Sequence, residues 1–285
     1  MDVVEHWIVH HKIPVGKAAV WAVDLLKTYG QGFFNALSDG LSASIDGATA
    51  ALEFIPGPLL ILLVMALVWW LRRSWRLALF TGVALFFVMN LGYWHETLET
   101  LSLVGFATVI SMLVGVPLGI AAAHRPWLYQ GMRPVLDLMQ TLPTFVYLIP
   151  TLVLFGLGSV PGIISTIIFV LPAPIRLTHL GISSVPPALV EAGEAFGASR
   201  RQLLWKVELP SALPTILAGL TQTIMLSLSM VVIAALVGAG GLGVPVVQAM
   251  ETVRIGMGFE SGLAIVVLAV VLDRVCRPAE TPSTR

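Results

Sequence analysis

Charge is what this chain has least of. Only 11% of its 285 residues are Asp, Glu, Lys or Arg, where soluble domains carry about 25%. Residues 54–71, 77–94, 100–123, 138–175 and 209–250 contain no charged side chain. A bilayer core takes about 20 apolar residues per helix, so the two longest runs must each hold more than one element. The chain reads as an all-α, polytopic membrane helix bundle. A single cysteine, Cys276, excludes an internal disulfide and a thiolate metal site. It reads as a small apolar residue at a helix end. No Gly-x-x-x-x-Gly-Lys-Ser/Thr run occurs, which excludes a P-loop ATPase within the chain. Net charge is zero, so no basic excess points to a nucleic-acid partner. Paired carboxylates, metal clusters and nucleophile–base sets are also missing, and no covalent catalysis is expected. Residues 1–30 lack an unbroken apolar core followed by a small-residue cleavage site, so the first true span is expected to direct insertion.

What is present falls into three parts. Residues 1–54 scatter Lys12, Lys17, Asp24, Lys27, Asp39, Asp46 and Glu53 among apolar residues at helical spacing, such as Ala22, Leu25, Leu26, Tyr29 and Phe33. This suits an amphipathic helix on the outer membrane surface or a small helical tail. A spanning helix here would have to hold Lys17, Asp24 and Lys27 in the bilayer. A transmembrane domain is expected over 55–275, with about seven spans at 56–72, 76–93, 98–123, 136–156, 160–181, 211–237 and 257–274. The Gly/Pro-rich 156–162 turn divides one long run into two helices. Residues 276–285 form a short polar tail. Orientation follows from Lys and Arg. Arg72, Arg73, Arg76, Arg125, Arg133, Arg176, Arg200, Arg201, Lys206, Arg274, Arg277 and Arg285 fall on one side. Arg254 and the three lysines of the N-terminal tail fall on the other. The C-terminus is therefore expected in the cytoplasm and the N-terminus outside.

The longest cytoplasmic connection, 183–210, is too long and too regular for an ordinary loop. Pro186-Pro187 suits a helix start, and Ala188 to Phe196 reads as a short helix. Gly197 is placed for a left-handed cap, and Ser199-x-x-Gln202 has capping-box form. A second short helix carries Leu203, Leu204 and Val207, and Leu209-Pro210 closes the loop. Leu189, Ala192, Phe196, Leu203, Leu204 and Trp205 would meet water unless a second protein covers them. The expected object is a helix-turn-helix elbow at the cytoplasmic mouth.

Other patterns are weaker. Residues 238–243, GAGGLG, match the dinucleotide fingerprint but follow a membrane span rather than a strand, so a flexible outer turn is expected. His95-Glu96 lacks the second histidine of a zinc protease, and His10 and His11 lack a third ligand. Thr215, Gln222 and Ser229 recur every seven residues on one helix face. They either line a translocation path or make interhelical hydrogen bonds. Tyr147 and Phe145 offer π-faces to a quaternary ammonium cation or simply pack. Pro143 and Pro150 would kink the fourth span. Asp137 and Arg176 read as interfacial or paired.

The elbow resembles the coupling loop of ABC importer permeases, whose pattern is Glu-Ala-Ala, three residues, Gly, nine residues, Ile, one residue, Leu-Pro. Here it reads Glu191-Ala192-Gly193, Gly197, Val207, Leu209-Pro210, with Gly193 and Val207 departing from it. Residues 90–101, 133–150, 171–182 and 213–243 are similar to permeases of glycine betaine, proline betaine and choline importers. The resemblance implies a separate ATPase subunit that binds ATP and Mg and grips the elbow. It also implies an extracytoplasmic binding protein and a second permease copy in the inner membrane. Glu191 would be the polar contact, and Leu189, Ala192 and Phe196 the buried ones. The alternative is a secondary transporter driven by an ion gradient, which usually keeps ionisable groups at mid-membrane; the mid-span regions here hold almost none.

Overall fold

The computed structural model describes residues 14–277. His10, His11 and the polar tail beyond Arg277 lie outside these residues. No strand forms among the described residues. Helix α1 covers Val15–Glu53 and α2 covers Gly57–Arg72. Helix α3 covers Trp75–Asn90 and α4 covers Trp94–His124. Helices α5 (Pro126–Thr141) and α6 (Thr144–Phe155) follow. Then come α7 (Ser159–Val170) and α8 (Pro172–Ser183). The elbow holds α9 (Pro187–Ala195) and α10 (Arg200–Leu203). A long helix α11 (Leu209–Ala234), then α12 (Gly243–Glu251) and α13 (Ile255–Cys276), complete the described residues.

Among the described residues, four helical stretches are each long and apolar enough to cross a membrane: Trp94–His124, Ser159–Ser183, Arg200–Val237 and Ile255–Cys276. They answer to the spans expected at 98–123, 160–181, 211–237 and 257–274. The remaining three expected spans are not of this kind. Helices α2 and α3 have 16 residues each, about 24 Å at 1.5 Å per residue, and form a hairpin. Arg73 turns it in the left-handed region, at φ 51°, and Ser74 caps α3 by accepting from the Leu77 N–H.

The span expected at 136–156 is two helices meeting at 96°. Leu142 is extended, with ψ 135°, because the ring of Pro143 disfavours the α conformation in the residue before it. Tyr147 donates its hydroxyl to the Met139 carbonyl across the bend. Helix α1 was expected as an amphipathic surface helix or a small helical tail. It packs against α4 and α6. Ile45 is buried in the core, Phe34 meets Phe155 edge-on, and Thr49 donates to Ser102.

At the centre α8 is held between α4 and α11. Lipid tails are as apolar as leucine, so close packing rather than water exclusion joins such helices. Glycines permit the approach. A Cβ on Gly115 would lie 2.6 Å from the Pro174 ring, and one on Gly119 would lie 2.7 Å from the Ile175 carbonyl oxygen. On the other side, Gly219 faces Leu177 and Gly181 faces Ala212. Large apolar side chains including Leu62, Val83, Phe86 and Leu113 point outward and are exposed. Trp69, Trp70 and Trp75 flank Arg72, Arg73 and Arg76, the aromatic and basic girdle of a membrane–water boundary.

Candidate functional site: the elbow and the rod it continues into

The elbow forms from local signals. Pro187 opens α9, where a missing N–H costs nothing. After Ala195 the chain reverses through Gly197 at φ 78°, a conformation that glycine adopts without a Cβ penalty. The Gly197 N–H donates to the Glu194 carbonyl at 2.8 Å, and the Ala198 N–H donates to the Gly193 carbonyl at 3.0 Å. Those two bonds make a complete Schellman cap. Ser199 then opens α10 with a reciprocal capping box: its hydroxyl accepts from the Gln202 N–H, and the Gln202 side chain accepts from the Ser199 N–H. Each such cap contributes about 1 kcal/mol.

The second helix does not end at Leu209-Pro210 as expected. It continues through a π-turn, Leu204–Glu208, into α11. Residues Arg200–Val237 thus form one 38-residue helical rod. Pro210 accounts for the widened turn. It has no N–H to give the fourth carbonyl back, and its ring crowds that carbonyl. The Leu209 N–H bonds the Leu204 carbonyl, five residues back, and the backbone absorbs the extra residue. The second arm of the elbow and the span are therefore one piece of helix, and α9 joins them through the Gly197 turn.

Exposure divides the elbow residues. Phe196 is 93% exposed and Trp205 63%. Leu189, Glu191, Ala192 and Gly197 are also exposed. Leu203, expected to need a partner's cover, is buried inside the elbow. Leu204 is half-buried against Ile182, Ala212 and Ile216. Gly193 has a packing role: a Cβ there would meet Leu203 Cδ2 at 2.5 Å, with Val207 next at 3.7 Å. Val207 and Leu209 are half-buried, and Pro210 is exposed.

The membrane residues separate as well. Gln222 and Ser229 face outward on α11, while Thr215 is half-buried beside Gly181. Ser229 gives its hydroxyl to the Met225 carbonyl of its own helix. Tyr147, grouped with these residues as a path candidate, is buried at the α5–α6 bend with Phe169 against it. In this conformation it is a strut. Arg176 pairs with Asp137 at 2.6 Å, and Tyr129 stacks on His179 with ring centroids 3.6 Å apart, so α5 is fastened to α8 twice.

The GAGGLG turn is clamped rather than flexible. The Gly241 N–H donates to Glu99 Oε2 at 2.7 Å, and the Leu242 N–H donates to the Thr100 hydroxyl at 2.8 Å. Ala239 and Leu242 are buried. His95 bridges Glu53, at the end of α1, and Glu99. Sequence reasoning missed Glu53 with His95 and Glu99 with Gly241 because these partners lie far apart in the chain, 142 positions for Glu99 and Gly241. It also missed a side-chain contact at the other end of α4, between His124 and Glu208.

A basic, elbow-bearing end and a rod running to a clamped turn are what a membrane transport subunit moved from outside itself requires. Residues 115–276, more than half of the chain, match the family described as "Binding-protein-dependent transport system inner membrane component". The chain belongs to that family. The permease is 46% identical over 264 residues to the glycine betaine transport system permease protein OpuAB of Bacillus subtilis, covering 93% of each chain. It is 42% identical over 268 residues to the glycine betaine/carnitine transport permease protein GbuB of Listeria monocytogenes, covering 92% of this chain and 95% of that one. Among solved structures, inward-facing conformations of the MetNI methionine ABC transporter match with a TM-score of 0.56 and 25% identity, over 62% of this chain and 91% of that one. These matches favour an ABC importer over an ion-gradient carrier.

Proposed function

We propose that this permease forms the membrane half of an ATP-driven, binding-protein-dependent importer of quaternary ammonium compounds: glycine betaine, proline betaine or choline. The observation that carries the reading is the continuity of the elbow's second arm with the span in the rod Arg200–Val237, next to the exposed and capped α9. A partner ATPase, binding ATP and Mg on its own residues, grips Leu189, Glu191, Ala192 and Phe196. Its closure displaces α9, and the capped Gly197 turn passes that displacement to the second arm of the elbow, which runs into the membrane without a loop. The relatives' names carry the substrate class. Choice among the three compounds belongs to the extracytoplasmic binding protein that delivers them.

Alternating access follows from this arrangement. With ATP bound, the ATPases close below, the cavity opens outward and substrate passes from the docked binding protein. After hydrolysis the cavity opens inward. Gln222 and Ser229 lie on an outward face of this chain, so a route along them is closed by a second permease copy. Lipid covers the remaining apolar surface. The basic end faces the cytoplasm with the C-terminus, and the N-terminus lies outside, by the positive-inside rule.

The test is transport in vesicles holding the permease, its ATPase and its binding protein. Uptake of radiolabelled glycine betaine is expected to need internal ATP and to survive ionophores that collapse ion gradients. Glu191→Lys, which leaves the caps intact, is expected to abolish it while the permease still reaches the membrane. Uptake driven by an ion gradient without ATP would contradict the reading.

A further inference from the structure

We propose that His124 and Glu208 form a latch that stiffens the π-turn at the root of the elbow and so positions the elbow on the membrane domain. The proposal rests on the coupling role argued above. His124 is the last residue of α4, and Glu208 is the last residue of the π-turn. His124 Nε2 lies 2.9 Å from Glu208 Oε2, and His124 Nδ1 lies 2.9 Å from the Ile120 carbonyl oxygen. The two ring nitrogens thus join Glu208 to the last turn of α4. The Glu208 side chain is only 12% exposed, which places the pair at the edge of the packed region rather than in free solvent.

The position of the pair matters more than its strength. The rod has a non-α turn at Leu204–Glu208, between the elbow and α11. A turn whose regular bond pattern is broken is where a pushed helix yields. The latch sits on that turn and ties it to α4. Beneath it, Ile120 and Ala123 of α4 pack with Leu204 and Leu209 around buried Ile182, Ala212 and Ile216. At its far end the same helix α4 holds the turn after the rod, through Glu99 on the Gly241 N–H and Thr100 on the Leu242 N–H. Helix α4 therefore grips the rod at both ends, with α8 wedged between them by the glycine contacts. An elbow displacement then moves α4, α8 and α11 together. Without the latch, the π-turn takes up part of the movement. His124 and Glu208 are positioning residues; neither needs to touch substrate or nucleotide.

The test reads glycine betaine imported per ATP hydrolysed, in vesicles holding permease, ATPase and binding protein. His124→Phe and the isosteric Glu208→Gln are expected to keep ATP hydrolysis and lower this ratio by about threefold or more, the lower end of the coupling that contacting residues share. The double variant should be no worse than the poorer single one. If the wild-type complex shows no ATP-driven uptake, the coupling reading fails. If the wild-type complex transports and both variants keep its ratio, the latch is overturned while the coupling reading stands. Uptake and hydrolysis falling in parallel at constant ratio would assign the pair a structural role only and overturn the proposal. Losses that add in the double variant, or failure of both single variants to assemble, would overturn it as well.

Discussion

The two ends of the rod Arg200–Val237 are built on opposite plans. At the elbow end, Phe196, Trp205 and Leu189 stand in the open. The order there comes from caps made within eleven residues of chain, 193–203. At the other end, residues 239–242 are sunk into the bundle, and both clamping groups come from α4, more than a hundred positions away. One end carries its shape with it and leaves its apolar surface for another protein. The other has its contacts supplied by the same chain and no freedom to move alone. A part that must be gripped from outside has to be locally stable and externally unfinished. A part that must respond to it has to be bound into the bundle.

Substitutions that break this contrast should rank accordingly. The largest effect is expected from Gly197→Pro. Proline cannot reach φ 78° and removes the N–H that bonds Glu194, a backbone cost of about 3 kcal/mol or more. The elbow loses its angle, and ATP-dependent uptake should vanish while the permease remains in the membrane, as shown by blotting and transport together. Gly241→Val attacks the clamped end. Residue 241 sits at φ 95°, and a Cβ there would lie 2.6 Å from Thr100 Oγ1. This change should lower the thermal stability of the permease itself, by about 1–3 kcal/mol, where Gly197→Pro acts chiefly on coupling. A melting curve that shifts equally for both variants would erase the distinction between the ends.

Smaller effects sharpen it. Gln222→Leu keeps both ends intact and removes an outward polar group from the middle of the rod. It should reduce transport without releasing the ATPase, and wild-type uptake kinetics would remove Gln222 from the route. Gly193→Ala should be the mildest change. The atom it would strike is the far end of the buried Leu203 side chain at 2.5 Å, which must turn aside at a cost below about 1.5 kcal/mol. ATPase binding should stay within about tenfold of wild type on that scale. A complete loss would mean that Leu203 sets the elbow angle.

Legibility in the sequence followed the range of the interaction. The Gly197 cap and the Ser199–Gln202 box join residues at most five apart, and both stand where the residue types put them. The break at Pro143 was readable as a kink, but its size was not. The 96° bend is braced by Tyr147 on Met139 and by Arg176 on Asp137, and residue periodicity carries no trace of those bonds. The charged residues of α1 pointed to the membrane surface, yet Ile45 reaches the core. Burial of one face is decided by α4 and α6, which α1 meets only after folding. His124 with Glu208 and Glu99 with Gly241 left no local signal. The π-turn was hidden for a related reason: Leu-Pro reads as a stop, and only the continuity of the helix behind it shows that Pro210 is bypassed.

The most direct test is the accessibility of residue 196 in intact membranes. In a permease carrying Cys276→Ser and Phe196→Cys, a membrane-impermeant maleimide should label residue 196 only from the cytoplasmic side, and assembly with the ATPase should protect it. Labelling from the outer side, or labelling from within that the bound ATPase leaves unchanged, would contradict the account.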